Sequence, residues 1–449
     1  MSKPNVIVFL TDQQRWDTVG VHGNPLGLTP NFDRVAQHGT LLDACFTVQP
    51  VCGPSRAALQ TGKYASQVGV YKNDIPLPKD ADTLAKQFGA HGYATGYIGK
   101  WHLGTEDPVP PEERGGYDAW LAANWLEFSS DAYDTVVFDE SGARKKLPGY
   151  RVDAVTDAAI DFIEQKKDDP FFLFVSLLEP HQQNGVDDYI APRGYREPFQ
   201  GAWTPPDLAA LPSLYNSVQR HLAGYYGMVK RIDEAFGRLL DALESLSLTE
   251  ETIVVFTSDH GCHFRTRNEE YKRSCHDASL RVPALLTGPG FTGGGRVTAL
   301  TTLLDLMPSL LDASGLPVPE ALEGESILPL LGDASGREAV FFQISESEVG
   351  RGLRTKRWKY SVTAPDKDGF ADAHADSYTE SHLYDLEHDP YELHNLITYE
   401  SHSEIREGLR QKLAHHINKV EGLPCEIIPG VSRTSSYFDQ RVVSSKDLT

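Results

Sequence analysis

Cys52 is the residue whose surroundings most clearly indicate chemistry. It stands two residues before Pro54, whose fixed φ suits the first turn of a helix, and Gly62 is suited to end that helix. The sequence therefore predicts a short helix with a thiol at its N-terminus, where unpaired N–H groups and the helix dipole favour negative charge. A lone cysteine is often only a small buried apolar side chain. Ser55 and Arg56 argue against that alternative, because packing does not explain two polar side chains so close to the thiol.

The segment around Cys52 resembles a motif of a known enzyme family. It resembles the C-x-P-S-R motif of type I sulfatases through Cys52, Pro54, Ser55 and Arg56, followed by Leu59 and by Thr61-Gly62. In that family a formylglycine-generating enzyme oxidises the cysteine to formylglycine, whose hydrate supplies the nucleophile. The resemblance implies that Cys52 is a precursor, that Arg56 holds the modified residue in position, and that the maturation enzyme is a partner.

Two polar pairs directly follow predicted buried strands. They are Asp12 with Gln13 and Asp259 with His260. Oxygen-rich ligands suit Ca²⁺ or Mg²⁺, and one imidazole also admits Mn²⁺. By themselves these pairs could be ordinary turn residues at strand ends.

The sulfatase resemblance turns the two pairs into a predicted metal site. Sulfatases have an Asp-Asp pair, or a variant of it, and an Asp-Asn or Asp-His pair that coordinate a metal beside the formylglycine. The resemblance implies one divalent ion, with Ca²⁺ favoured over Mg²⁺ and Mn²⁺, and these ligands: Asp12, Gln13, Cys52, Asp259 and His260. Gln13 departs from the commoner Asp, which makes the predicted site less negative.

Basic residues follow two further predicted strands. Lys100 and His102 lie in Gly-Lys-Trp-His-Leu-Gly, and His181 lies in Glu-Pro-His. Lysine and histidine are also common on surface turns, so they indicate a site only together with the cysteine motif. The resemblance implies that Lys100 stabilises sulfate and nucleophile, and that His102 hydrogen-bonds the formylglycine hydroxyl. It also implies that His181 contacts the sulfate and the leaving-group oxygen, and Lys272 matches the late lysine of the family.

These roles suit transfer of a sulfuryl group. Charge builds on the equatorial oxygens and on the departing alkoxide, where fixed positive groups stabilise the transition state. The implied metal lowers the pKa of one formylglycine hydrate hydroxyl, which attacks sulfur in line. The alcohol then leaves, protonated by His181 or Lys272. The second hydroxyl loses its proton to His102, and sulfate is expelled from the covalent sulfo-enzyme.

The elements that must position these residues alternate between strand and helix, with an irregular acidic, Pro-rich segment before residue 152. Buried strands are predicted at 6–10, 94–98, 171–178 and 252–256, and helices near 30–39, 52–62, 82–88, 152–166 and 225–246. Such alternation predicts an α/β fold, in which helices cover both faces of a mostly parallel sheet. Ligands bind beyond the carboxyl ends of strands in such sheets, so Asp12, Lys100, His181 and Asp259 are expected to converge there. The resemblance implies the alkaline-phosphatase-like version of this fold.

The pattern changes near residue 338. Short antiparallel strands are predicted at 340–344, 352–355 and 358–362, followed by a helix at 405–420. We therefore predict two domains, a catalytic domain at 1–338 and a smaller α+β domain at 339–449.

Composition limits the partners. The chain has 449 residues and a net charge of −21, which argues against nucleic acid or an anionic membrane as the main partner. An anionic substrate would need a locally positive pocket. No secretion signal or membrane-spanning run is visible, and five cysteines suit free thiols in a reducing compartment, so we expect a cytoplasmic protein. The oligomeric state is left open.

The leading hypothesis is a sulfuric ester hydrolase that cleaves a sulfate monoester, with a carbohydrate sulfate as the expected substrate. One alternative is a phosphonate or phosphate ester hydrolase, because that branch shares the cysteine motif and an Asp-His metal pair. Another is a non-catalytic binder of sulfated glycans in which Cys52 is never converted. The long polar, aromatic segment 182–213 suggests Arg193 and Trp203 as substrate contacts, and His276 is predicted to lie close to the substrate.

Overall fold

The structure is a computed structural model that describes residues 3–293, 295–332 and 334–430. The strands are β1 (Asn5–Thr11), β2 (Thr40–Phe46), β3 (Ala94–Lys100), β4 (Ala119–Ala123), β5 (Thr135–Asp139), β6 (Arg144–Leu147), β7 (Phe171–Ser176), β8 (Thr252–Ser258), β9 (Arg281–Val282), β10 (Ala284–Thr287), β11 (Gly295–Thr302), β12 (Ala339–Ile344), β13 (Gly350–Thr355), β14 (Trp358–Thr363), β15 (Ser377–Asp385) and β16 (Glu426–Ile428). The α-helices are α1 (Pro30–Ala36), α2 (Cys52–Thr61), α3 (Leu84–Ala90), α4 (Leu126–Ser129), α5 (Arg151–Lys166), α6 (Pro206–Ala210), α7 (Ser217–Ser245), α8 (Asp277–Leu280), α9 (Leu306–Ala313) and α10 (Ser403–Glu421).

Strand β1 lies inside a large mixed sheet, ordered β11-β2-β10-β8-β1-β7-β3-β4-β5-β6, with β9 paired to β2. The five neighbours from β8 to β4 run parallel. Side chains alternate across β1, so Val6 and Val8 enter the core on one face while Ile7 and Phe9 enter the core on the other. All four are completely buried. The predicted buried parallel strand is therefore confirmed.

Helices cover both faces of this sheet. Buried side chains of α1, α5 and α7 share one core with Ile7 and Phe9. Those of α2, α3 and α9 share the other core with Val6 and Val8. Because the central strands β1, β7 and β8 are buried on both faces, their residues read as largely continuous apolar runs. This arrangement confirms the predicted α/β architecture.

A second, smaller sheet follows in the chain. Strands β12 to β15 pair antiparallel, and the short β16 joins β15 in parallel. Helix α10 packs on this sheet through Leu409, Leu413 and Ile417. The predicted small antiparallel sheet is thus confirmed. The domain boundary between 338 and 339 stays a prediction, and residues 431–449 of the predicted second domain lie outside the described residues.

Two local predictions were wrong. The segment before residue 152 is not irregular, since it supplies β4, β5 and β6 to the edge of the large sheet. Helix α7 begins at Ser217 rather than near 225, so the prediction missed its first two turns. The expected free thiols agree with the structure, where all five cysteines are unpaired. Among the described residues, no helix has the length and apolar character needed to cross a membrane.

Candidate active site

The four strand ends that the sequence analysis singled out are neighbours in the large sheet. Strands β8, β1, β7 and β3 lie side by side and parallel, so their carboxyl ends share one edge. Asp259, Asp12 and Lys100 stand at three of these ends, and His181 follows the fourth after a short connection. The common strand direction is the reason that residues distant in sequence meet at one place.

Cys52 is the first residue of α2 and is 1% exposed. The Sγ atom of Cys52 lies 2.8 Å from Nζ of Lys272, 3.3 Å from Nε2 of His260 and 3.5 Å from Oδ1 of Asp12. Gly62 ends the helix with φ of +64°, as the sequence predicts. The structure thus places the thiol within reach of both a basic residue and two residues of the predicted metal site.

The electrostatics around Cys52 favour a negative charge at this position. Burial raises the pKa of the thiol, but Lys100, Lys272 and His260 outweigh burial and hold that pKa well below its ordinary value. A side-chain hydrogen bond with His102 acts in the same direction. The site is therefore the locally positive pocket that an anionic substrate needs in a chain of net charge −21.

Arg56 ties the predicted metal ligands to the framework. Its guanidinium lies 3.1 Å from Oδ2 of Asp12 and 3.2 Å from Oδ2 of Asp259. The same side chain donates hydrogen bonds to the Lys100 carbonyl and to Oγ of Ser176. All five residues are buried, so Arg56 fixes the ends of four strands relative to α2.

The donor set suits one divalent cation. Asp12, Cys52, Asp259 and His260 offer ligand atoms that all lie within 4.8 Å of one another. Oε1 of Gln13 is buried and accepts no hydrogen bond from the described residues. Burial and the negative charge of the neighbouring Asp12 raise the pKa of Asp259. A bound divalent cation would relieve the repulsion between these two carboxylates.

His181 and Lys272 form the opposite side of the site. Nε2 of His181 lies 3.2 Å from Nζ of Lys272, and both side chains are buried. Burial and Lys272 lower the pKa of His181, so its imidazole is mainly neutral near neutral pH. Every catalytic and metal residue predicted from sequence therefore lies in or directly behind this site, while the roles of these residues stay predictions.

A cavity of about 550 Å³ opens above Cys52, a size typical of small-molecule sites. Its lining includes Lys72, Phe128, Arg265 and Phe370. The two phenylalanines are unusually exposed, at 69% for Phe128 and 53% for Phe370. Such exposed aromatic rings beside a polar cavity are typical of contacts to a ligand rather than to the core.

The three predicted substrate contacts are not among the described residues that line this cavity. Arg193 is exposed, and its backbone N–H faces the hydroxyl of Tyr133. The Trp203 carbonyl accepts a hydrogen bond from Tyr226 on α7. His276 is buried beside Tyr384. The prediction of direct contact is thus unsupported. The start of segment 182–213 lines the cavity through Gln182, Asn184 and Asp187, whereas its later part packs against α7.

Three polar residues of the site were not predicted from the sequence. Glu127 lies 2.9 Å from Nζ of Lys100. The Asn73 side chain accepts a hydrogen bond from the backbone N–H of Gly53, and Glu346 accepts one from the backbone N–H of Asn73. The apolar run that ends at Asn124 could have revealed β4 and with it Glu127, but Asn73 and Glu346 come from loops without any local signal.

Comparisons with known proteins agree with this geometry. The family model "Sulfatase" matches residues 4–316, and the model "N-sulphoglucosamine sulphohydrolase, C-terminal" matches residues 270–419. An ulvan-active sulfatase of Formosa agariphila is 35% identical over 85% of this chain and 77% of its own length. An N-acetylglucosamine-6-O-sulfatase of Bacteroides thetaiotaomicron is 26% identical over 92% of this chain and 86% of its own length.

A solved structure shows the same fold. It holds a protein in complex with its substrate, D-glucosamine-2-N,6-O-disulfate, and superimposes with a TM-score of 0.79 at 24% identity. The match covers 94% of this chain and 99% of the other chain. The shared topology is that of alkaline-phosphatase-like enzymes, as the motif resemblance implied.

Proposed function

The chain belongs to the sulfatase family, and from that premise we propose that it hydrolyses a carbohydrate sulfate monoester with a formylglycine derived from Cys52 and one divalent metal ion. One observation carries the proposal. The Cys52 side chain lies within 3.5 Å of Lys272, His260 and Asp12, which joins the nucleophile position to a cation and to metal ligands.

Asp12, Gln13, Asp259 and His260, together with the side chain at position 52, would hold the metal. A bound divalent cation would polarise one sulfate oxygen and lower the pKa of the nucleophilic hydroxyl. Ca²⁺ suits the oxygen-rich set best, and Mg²⁺ and Mn²⁺ are the alternatives.

The remaining residues bind sulfate and move protons. Lys100 and Lys272 are placed to neutralise the sulfate oxygens, and their charge stabilises the transition state more than the bound ester. The side chains of His181 and Lys272 lie 3.2 Å apart, and one of the two supplies the proton to the departing alcohol oxygen. His102 takes the proton that is lost when sulfate leaves position 52. Arg56 keeps Asp12 and Asp259 in place through both steps.

The proposed substrate class is supported by the relatives that act on sulfated saccharides and by the cavity itself. Phe128 and Phe370 offer apolar ring faces to a sugar, while Lys72 and Arg265 line the same cavity. Stacking on aromatic rings with charged groups alongside is a typical way to bind a polar, ring-shaped anion.

A substrate panel tests this function. Protein coexpressed with a formylglycine-generating enzyme is assayed for sulfate release from sulfated mono- and oligosaccharides, and for cleavage of an aryl sulfate and an aryl phosphonate with the same leaving group. We expect turnover of at least one saccharide sulfate and faster cleavage of the aryl sulfate than of the phosphonate. Faster phosphonate turnover would favour the alternative hydrolase.

Mass spectrometry of the Cys52 peptide provides the complementary test. An aldehyde in place of the thiol is expected in active protein, and Cys52→Ala is expected to abolish sulfate release without loss of folding. A thiol throughout, in protein from its native host, would support the alternative of a non-catalytic glycan binder.

A further inference from the structure

Glu127 is a buried acidic residue that the sulfatase motifs quoted above do not include. It lies in α4, directly after β4, and is 3% exposed. Its Oε1 atom is 2.9 Å from Nζ of Lys100 and 3.5 Å from Nδ1 of His102. We propose that Glu127 is a positioning residue, which orients the His102 imidazole toward position 52 and holds the Lys100 ammonium in place.

Glu127 follows β4, which is a fifth strand whose carboxyl end lies at the site. Strand β4 pairs in parallel with β3, so residues after β4 emerge beside those after β3. The backbone N–H of His102 donates to the Asn124 carbonyl, which links the two strand ends directly. His102 has φ of +60°, a conformation that a non-glycine residue adopts only when its surroundings impose it. The protein therefore accepts backbone strain to hold this imidazole between Glu127 and Cys52.

Two buried atoms, which have no hydrogen-bond partner among the described residues, indicate how Glu127 and His102 interact. Nδ1 of His102 and Oε2 of Glu127 are both buried, and neither has a hydrogen-bond partner among the described residues. A leftover donor and a leftover acceptor in adjacent side chains satisfy each other after a small rotation of the ring. Catalytic hydrogen bonds often become shorter only when substrate binds.

The charge of Glu127 suits this role. Burial raises the pKa of Glu127, but Lys100, His102 and His181 outweigh burial and keep the carboxyl ionised. A carboxylate that accepts a hydrogen bond from Nδ1–H fixes that tautomer and leaves Nε2 as the basic nitrogen, as in other acid–base–nucleophile arrays. On the proposed function, sulfate departs from position 52 with the bonding electron pair, and the released hydroxyl proton goes to Nε2 of His102.

Lys100 gains from the same carboxylate. Its ammonium lies between Asp12 at 2.8 Å and Glu127 at 2.9 Å, so it is fixed from two sides. Asp12 alone would hold the ammonium from one side only. With Glu127 in place, the charge of Lys100 stays centred where a sulfate oxygen would bind.

The first test needs no activity. Protein labelled with ¹⁵N-histidine, in the unconverted thiol form, is examined by NMR, and the His102 resonances are assigned by their loss in His102→Gln. We expect the Nδ1–H tautomer in the wild type, a shift toward the Nε2–H tautomer in Glu127→Ala, and recovery in Glu127→Asp. Unchanged His102 resonances in Glu127→Ala would overturn the proposal. If Glu127→Ala does not fold, Glu127→Met is measured in its place.

The second test measures each step of catalysis with a series of aryl sulfates. Loss of a positioning residue typically costs 10-fold to 100-fold in activity, so we expect Glu127→Ala to lower kcat by about that factor, and to lower KM as well because the sulfo-enzyme accumulates. Because the slowed step follows departure of the alcohol, kcat of this variant is expected to become independent of the leaving group. Glu127→Asp is expected to recover part of the rate.

Glu113→Gln is the matched control, because Glu113 is also a buried glutamate but binds Thr105, away from the cavity. An equal loss of kcat in Glu113→Gln, or a loss in Glu127→Ala that appears only in KM, would contradict positioning of His102. If the wild type cleaves no sulfate ester, the proposed function fails, while the tautomer measurement still decides the placement of His102.

Discussion

At the residue scale, the site depends on a balance between buried cations and buried anions. Arg56 pairs with Asp12 and Asp259, Lys100 pairs with Asp12, and Lys272 lies beside Cys52. All of these side chains are buried. Coulomb interactions are stronger in such surroundings than in solvent, and an unpaired charge is correspondingly costly. Single substitutions here are therefore expected to change ionisation and ligand binding as well as rate.

The ionisation of unconverted Cys52 tests the position of Lys272. The substitution Lys272→Met removes a cation that lies 2.8 Å from the Cys52 thiol, so the pKa of this thiol is expected to rise. In the wild type, thiolate should persist below the ordinary thiol pKa of about 8.5. The pKa of the Cys52 thiol is measured from the far-ultraviolet absorbance of the thiolate as a function of pH, after subtraction of the curve for Cys52→Ala.

Lys79→Met is the control for that measurement, because Lys79 is 59% exposed and pairs with Glu112 far from the site. Its titration curve should match the wild type. Identical curves for Lys272→Met and the wild type would show that Lys272 does not contact the thiol in solution.

Metal binding is expected to appear as stability. A ligand that binds only the folded protein adds about 2.7 kcal/mol at 100 times its Kd. Addition of Ca²⁺ to EDTA-treated protein should therefore raise Tm, and Asp259→Asn should lose most of that increase. Asp385→Asn is the control, because Asp385 belongs to a separate acidic cluster with Glu387 and His388. If both variants lost the Ca²⁺-dependent rise in Tm equally, the ion would not be bound specifically at Asp259.

At the element scale, α2 is the support of the nucleophile. All ten of its residues are buried, and it lies between one face of the large sheet and the smaller sheet. Its ends are defined locally, by Pro54 in the first turn and Gly62 after the last residue. A change at the C-terminal end should therefore affect stability more than the chemistry at Cys52.

Gly62→Ala tests this helix end. Gly62 has φ of +64°, and an added Cβ would lie 2.9 Å from Cδ2 of Leu322. Left-handed backbone costs roughly 1–2 kcal/mol in a residue with a Cβ. We expect a loss of at least that size in the free energy of unfolding, seen as a lower urea midpoint with an unchanged slope.

The control is Gly408→Ala in the middle of α10, where nothing lies within 4 Å of an added Cβ. Alanine is preferred over glycine inside a helix by about 1 kcal/mol, so this variant should be more stable than the wild type. A loss of equal size in both variants would mean that the left-handed conformation of Gly62 is not the cause.

At the scale of the whole molecule, the two sheets share one site. Glu346 and Phe370 come from the part of the chain that forms the smaller sheet, yet both line the cavity above Cys52. The core of the smaller sheet also includes Val48 and Ala58 from the region of α2. Separation of the two sheets would expose this shared core, so the large sheet and the smaller sheet are expected to unfold together.

Buried histidines make the stability of the molecule depend on pH. Burial lowers the pKa of His263 to about 3, whereas an unfolded histidine has a pKa of about 6.5. The folded state binds fewer protons between these values, so the free energy of unfolding should fall as pH decreases from 6.5 toward 3. In His263→Gln, Tm should depend less on pH across that window. An unchanged pH dependence would mean that His263 does not contribute.

The sequence was sufficient for the parts of this protein that local rules control. Continuous apolar runs predicted the central strands, because strands buried on both faces need no alternation. Pro54 and Gly62 predicted the ends of α2, because their backbone preferences are intrinsic. The cysteine motif and the polar residues after four strands then predicted the site, since parallel neighbours end at one edge.

Only the tertiary structure revealed what depends on pairing and packing at long range. Strand β4 has only five residues, so its apolar run was overlooked, and Glu127 was missed with it. Phe128 and Phe370 meet at one cavity although more than half of the chain separates them, and Arg193 and Trp203 lie elsewhere despite a suggestive composition. Local sequence determines which segments form strands and helices. Which loops meet above the nucleophile is decided by strand order and by the packing of the smaller sheet, and no short segment contains that information.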